Sequence, residues 1–237
     1  IKAVVCMAEN ATPAKVAATR GYGAEVVLHG TIWDEANEKA KELVRERGLT
    51  YVHPFDDVQL IAGQGTLGLE IYEDWPGVEI VVVPIGGGGL ISGVAMALKQ
   101  LNPRIKIIGV ESSGAPGMQR SVREGHVVTL DTVDCIIDGL RVKRVGTVTH
   151  QIVSQYVHDI VTLPDRDIFD AVVWVMERCK LVVEGAGAAS WIVGGPGGRG
   201  RIADALRSGR AAGPRSRRPP GPSGPGRRSR SAGRCRC

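Results

Sequence analysis

The sequence predicts an α/β fold of doubly wound parallel sheets, and three observations carry the prediction. Short β-branched runs alternate with helical patterns of about ten to fifteen residues through positions 1–190. Four consecutive glycines (Gly86, Gly87, Gly88, Gly89) join a buried apolar strand directly to a helix. Charge is also partitioned. Twelve arginines and one acid, Asp204, give about +11 after residue 190, which leaves about −6 of the net +5 for the rest.

Taken in order, residues 1–7 (IKAVVCM) read as a buried strand, and Pro13 opens a helix that ends near Gly21 and Gly23. Residues 24–28 form a second strand. Ala36, Ala40, Leu43, Val44 and Arg47 then share one helical face, which Gly48 stops. A strand over 49–52 precedes a helix from Asp57 through Glu70 to Trp75. The strand over 78–83 meets Pro84 and the glycines, and a helix over 90–101 follows. Residues 105–110 and 157–163 are further strands. Ile168, Ala171, Val172, Val175, Met176 and Cys179 form one stripe of a helix capped by Asp165 and Asp167. A short helix over 184–190 ends the pattern.

Composition narrows the function classes. A hydrophobic share of 43% in 237 residues is enough for one large core or two small ones. No apolar run reaches the roughly 18 residues of a membrane span, and no signal peptide is visible, so a cytoplasmic protein is expected. Cys6, Cys135, Cys179, Cys235 and Cys237 are scattered without a CxxC pair, which suits a reducing compartment. From about Trp191 the vocabulary shrinks to Gly, Pro, Arg, Ser and Ala, a tail expected to be disordered. Its abrupt onset suggests a reading-frame shift. As a nucleic-acid arm it lacks aromatic interleaving and any motif.

The sharpest local feature is Val81-Val82-Val83-Pro84-Ile85 followed by the four glycines, Leu90-Ile91-Ser92 and Gly93. Glycines let the chain turn sharply and bring successive N–H groups to one anion. The helix that follows adds free amides and a positive dipole end. The alternative is a flexible turn, but four glycines at an ordered strand–helix junction favour a phosphate site. No GK[ST] follows, so this is not a nucleotide P-loop. The histidines (His29, His53, His126, His150, His158) show no ligand spacing, and Ser112 and Ser113 lie in no GxSxG elbow.

These glycines, with Leu90 and Gly93, resemble the phosphate loop of threonine/serine dehydratases, pyridoxal-phosphate enzymes of the tryptophan-synthase-β type. Four further stretches are similar to that family, in order and with sensible spacing. They are Ala14-Lys15-Val16-Ala17-Ala18-Thr19-Arg20-Gly21-Tyr22-Gly23-Ala24-Glu25-Val26, His53-Pro54-Phe55-Asp56-Asp57 with Ile61-Ala62-Gly63-Gln64-Gly65-Thr66, Ile137-Asp138-Gly139-Leu140-Arg141-Val142, and Leu181-Val182-Val183-Glu184-Gly185-Ala186-Gly187-Ala188.

The resemblance implies a fold-type II architecture: residues 1–54 as the remainder of a small α/β domain, 55–190 as most of a larger one, and 191–237 as tail. It implies pyridoxal 5′-phosphate as cofactor, its phosphate on Gly86, Gly87, Gly88, Gly89 and Leu90, with Gly139 and Glu184 near the ring. It further implies conversion of L-threonine or L-serine to a 2-oxo acid and ammonia, a place in amino-acid metabolism such as isoleucine biosynthesis, and a homo-oligomer when intact.

The family's Schiff-base lysine belongs to an SFKxRGA motif, and none of the eight lysines here follows Ser-Phe. The SAGNHAQG and SGGN segments are missing too. No catalytic residue is therefore assigned, and an inactive fragment or a non-catalytic product that at most binds phosphate is the expectation. Some relatives bind a divalent cation. Glu111 and Ala115 match two of its ligands, but Gly117 replaces the aspartate, so no metal site is expected.

Overall fold

The computed structural model describes residues 1–194. Two parallel sheets organise them. The first pairs β1 (Val4–Met7) with β2 (Glu25–Leu28), linked by α1 (Pro13–Gly21) and followed by α2 (Trp33–Arg47). Pro13 starts α1 where its missing N–H costs nothing, and Gly48 ends α2 in the left-handed region at φ 63°.

The second sheet has the order β3 (Ile80–Pro84), β4 (Lys106–Ser112), β5 (Asp159–Leu163). Helix α3 (Val58–Asp74) precedes β3, and α4 (Gly89–Leu101) connects it to β4. Between β4 and β5 run α5 (Gly117–Glu124), a 3-10 turn at Asp138–Leu140 and α6 (Thr147–Tyr156). After β5 come α7 (Asp165–Cys179) and α8 (Gly185–Gly194).

Alternate residues of this sheet feed two separate cores, as a doubly covered parallel sheet requires. Val81, Val83, Ile107 and Ile160 meet Ile91, Val94 and Leu98 of α4, Met118 of α5 and Val153 of α6. Ile108, Val110 and Leu163 face the other way, onto Ile168 of α7 and Ala186, Ala189 and Val193 of α8. Each fully buried aliphatic chain contributes about 1.5–3 kcal/mol, so both layers help to hold the sheet beneath its loops. Against α4, α3 approaches backbone to backbone. A Cβ on Gly93 would lie 2.5 Å from the Gly65 nitrogen.

Several sequence expectations need correction. Residues 49–52 form no strand: nothing pairs with them, Val52 is 66% exposed, and Tyr51 instead packs edge-on to His53. Asp165 does not cap α7, because Pro164 holds the N-cap position. Its carboxylate accepts from the Ser112 hydroxyl and, at 2.7 Å, from the Ile136 amide, tying the end of β4 to α7. On the α7 stripe Ile168, Ala171 and Val175 are buried, but Met176 is 46% exposed.

The last helix runs past Ser190 to Gly194, with Val193 fully buried and Trp191 stacked on Trp174 at 3.6 Å between ring centroids. Residues 195–237, where most of the expected tail falls, lie outside the described residues. Among the described residues no helix is long and apolar enough to cross a membrane.

Candidate functional site

The glycine loop forms the wall of a cavity of about 990 Å3 between the two sheets. Gly86, Gly87, Gly88, Gly89 and Leu90 all line it, and so do Gly139 and Glu184, although more than ninety residues separate Leu90 from Glu184. Every sequence-assigned site residue is therefore in one place.

Strand β3 delivers the loop, and α4 leaves from it. Gly88 is the N-cap of α4 at φ 97°, a conformation that costs a side-chain-bearing residue about 1–2 kcal/mol. The amides of Gly89, Leu90 and Ile91 open the helix without intrahelical partners of their own, so the loop presents donors and a positive dipole end to the cavity. The space around the loop is fixed by other elements. A Cβ on Gly86 would strike the Gly139 carbonyl, and one on Gly87 would strike the Phe55 ring. A Cβ on Gly139 would lie 2.9 Å from that of Ala186 and 3.5 Å from Glu184 Oε1. These residues fit a phosphate group: backbone donors, no side chains, and no carboxylate within the loop itself.

The opposite wall belongs to the first sheet and its helices. Lys15 of α1 reaches Asp138 of the 3-10 turn in an ion pair, with Arg141 at 3.9 Å from the same carboxylate. Both Lys15 and Asp138 line the cavity about half exposed, so the pair contributes little to stability but bridges the two sheets across the opening. Trp33 of α2 packs on Phe55 and His53, with centroids 5.5 and 5.6 Å apart. His53 Nδ1 accepts from the Phe55 and Asp56 amides, and burial pushes its pKa down, both of which favour the neutral ring.

Three contributors were not assigned to the site from the sequence, although Phe55 and Asp56 lie in one of the family-like stretches. Phe55 covers the loop, Asp56 caps α6, and Thr149 bonds to the Gly87 carbonyl. Asp57, where the sequence starts the helix, caps α3 by accepting from the Gln59 and Leu60 amides at 2.9 Å.

Away from the cavity, Glu111 is 1% exposed at the end of β4. Its oxygens accept from the Met118 and Gln119 amides at 2.7 and 2.8 Å, so it caps α5, and burial raises its pKa to about 7. Among the described residues no group of three or more His, Cys, Asp or Glu is placed to hold a metal ion.

With this geometry in view, the likenesses to known proteins are informative. The sequence pattern of the family described as "pyridoxal-phosphate dependent enzyme" matches residues 1–199. Over 188 residues the chain is 46% identical to the L-threonine ammonia-lyase of Thermotoga maritima, covering 79% of this chain and 47% of that one. Over 184 residues it is 46% identical to the catabolic L-threonine dehydratase of Escherichia coli, covering 78% and 56%. The chain thus spans about half the length of the curated relatives it matches.

Among solved structures, the processed form of threonine deaminase isoform 2 from Solanum lycopersicum superposes with a TM-score of 0.74 at 40% identity, over 80% of this chain and 52% of that one. Maize serine racemase gives 0.77 at 35% identity, over 80% and 57%.

Proposed function

Since the chain belongs to the pyridoxal-phosphate dependent enzyme family, we propose that its glycine loop holds the cofactor's phosphate in a dehydratase (ammonia-lyase) of L-threonine or L-serine. The observation that carries this reading is the cradle itself: Gly88 in a left-handed turn at the start of α4, on a cavity that also holds Gly139 and Glu184. The named activities of its relatives supply the substrate class.

When bound, the cofactor supplies an electron sink for charge at the substrate's α-carbon. This chain's own residues bind and orient. The amides of Gly88, Gly89 and Leu90 are the donors for the phosphate. The Cβ-less surfaces of Gly86 and Gly139 let the walls close to backbone distance. Phe55 and Trp33 cover one side with rings and exclude water there.

Proton transfer is a different matter. The lysines lining the cavity are Lys15 and Lys143, and Lys15 is engaged by Asp138. Neither lies in an SFKxRGA sequence. We therefore assign residues 1–237 the binding half of the task and no turnover of their own, with residues 1–54 and 55–190 as parts of two domains. The complete enzyme would be a cytoplasmic homo-oligomer.

The test uses the full chain. Pyridoxal phosphate and inorganic phosphate are titrated calorimetrically, each in competition with the other, and 2-oxo acid is measured with threonine or serine present. We expect competitive binding and no 2-oxo acid above the cofactor-only rate. Steady turnover would overturn the non-catalytic part, and failure to bind either ligand would overturn the cradle.

A further inference from the structure

We propose that Asp56 is a positioning residue for the phosphate cradle, acting through α6 and Thr149 to lock the peptide between Gly87 and Gly88. This deepens, and rests on, the reading of residues 86–90 as that cradle.

The chain of contacts is short. Asp56 follows Phe55, whose ring lies against Gly87 and whose backbone would be 3.0 Å from a Cβ on Gly89. The Asp56 carboxylate reaches across to the start of α6, more than ninety residues onward. Oδ2 accepts from Thr147 N at 2.9 Å, and Oδ1 accepts from Val148 N at 2.9 Å and Thr149 N at 3.2 Å. Position 146 must be glycine for this approach, because a Cβ there would meet the Asp56 carboxylate and lie 2.7 Å from Thr149 Oγ1. One carboxylate thus takes three of the four amides a helix leaves unsatisfied at its N-terminus.

The first turn held this way grips the loop at one atom. Thr149 Oγ1 donates to the Gly87 carbonyl at 2.8 Å, and Gly146 N donates to the same oxygen at 3.2 Å. Thr149 is fully buried, so solvent does not compete for its bond to the Gly87 carbonyl. The 87–88 peptide is trans and planar, so fixing its carbonyl toward α6 directs the Gly88 N–H away from α6. Gly88 lines the cavity, and its N–H is one of the proposed phosphate donors. Two adjacent glycines would otherwise let this peptide flip at little cost. Locking it removes an ordering penalty from phosphate binding.

Asp57 provides the internal control. It is the next carboxylate and caps α3 through the Gln59 and Leu60 amides at 2.9 Å, away from the loop and α6. Asp56→Ala, Asp57→Ala, Thr149→Val and Thr149→Ser are compared in the full chain. Two readouts are taken: the dissociation constant for inorganic phosphate by calorimetry, and amide hydrogen exchange at residues 87–89 without ligand.

We expect Asp56→Ala to weaken phosphate about tenfold and Thr149→Val about fivefold, with faster exchange at 87–89 in both. Asp57→Ala should lower the melting temperature with both readouts unchanged, and Thr149→Ser should restore wild-type values because it keeps the hydroxyl. Thr149→Val removes one oxygen from an isosteric side chain, so it decides the matter if Asp56→Ala does not fold. Phosphate binding by the unsubstituted chain with equal loss in the Asp56 and Asp57 variants, or with no loss in Thr149→Val, overturns the clamp alone. No phosphate binding by the unsubstituted chain overturns the cradle and the clamp together.

Discussion

The Met118 side chain stands 2.6 Å from where a Cβ on Gly88 would sit, and the Thr149 Cβ stands 2.8 Å from the same point. Gly88 also holds φ 97°. A side chain there meets a backbone penalty and a packing penalty together, about 1–2 and 1–3 kcal/mol. Gly88→Val is expected to lower unfolding free energy by about 2–5 kcal/mol and to abolish phosphate binding by calorimetry. If a folded Gly88→Val chain binds phosphate as the parent does, the loop is not the site.

Helices α5 and α6 show which parts of the fold were legible in the sequence and why. Neither carries its own cap: Pro116 and Gly146 occupy the N-cap positions without a side-chain bond. Their amides are satisfied by Glu111 and by Asp56, the second from more than ninety residues upstream. A reading based on local capping sees neither. Where the determinants are local, the sequence sufficed: α3 begins at Asp57, Gly48 stops α2, and β3 runs into the four glycines. The strand expected over 49–52 fails for the converse reason, since β propensity without a pairing partner makes no strand. The loop glycines were readable because four of them stand together where no side chain fits. Phe55 and Asp56 stood out only within a family-like stretch, and their contacts with the loop and α6, like that of Thr149, depend on tertiary placement.

Glu111 predicts a pH dependence. Burial raises its carboxyl from 4.5 to about 7, against the two amides that favour the charged form. The folded state therefore binds more protons than the unfolded state between about pH 4.5 and 7, and stability falls as pH rises through that window. The full span is on the order of 3 kcal/mol, levelling off above pH 7. Urea unfolding at pH 5 and pH 8 should show this loss in the parent chain. Glu111→Gln, which cannot ionise, should flatten the difference. A parent whose stability rises from pH 5 to 8 by as much as the variant's would show that Glu111 is charged throughout.

The contact of α3 with α4 depends on Gly93 having no side chain. A Cβ there would strike the Ile61 carbonyl and lie 2.9 Å from the carbonyl carbon of Gln64. Backbone cannot yield as a side chain tip does. Gly93→Ala is expected to cost about 3 kcal/mol despite alanine's better helix propensity. A melting temperature at or above the parent's would mean that the helices stand further apart.

Trp174 and Trp191 test where the folded body ends. By composition alone, Trp191 falls at the start of the arginine-rich segment, and its removal would change nothing. In the structure it belongs to α8, stacks on Trp174 with an interplanar angle of 26°, and precedes the fully buried Val193. Both rings are half-buried, so the loss on truncation should be less than the 3–5 kcal/mol of a fully buried tryptophan. Trp191→Ala and Trp174→Ala are each expected to cost about 2 kcal/mol. The double variant should cost about 1 kcal/mol less than the two combined, which is the stacking contribution itself. Chemical denaturation of the three variants measures that coupling directly. A Trp191→Ala chain as stable as the parent, with no coupling to Trp174, would place the end of the packed core before residue 191 and detach α8's last turn from the sheet it covers.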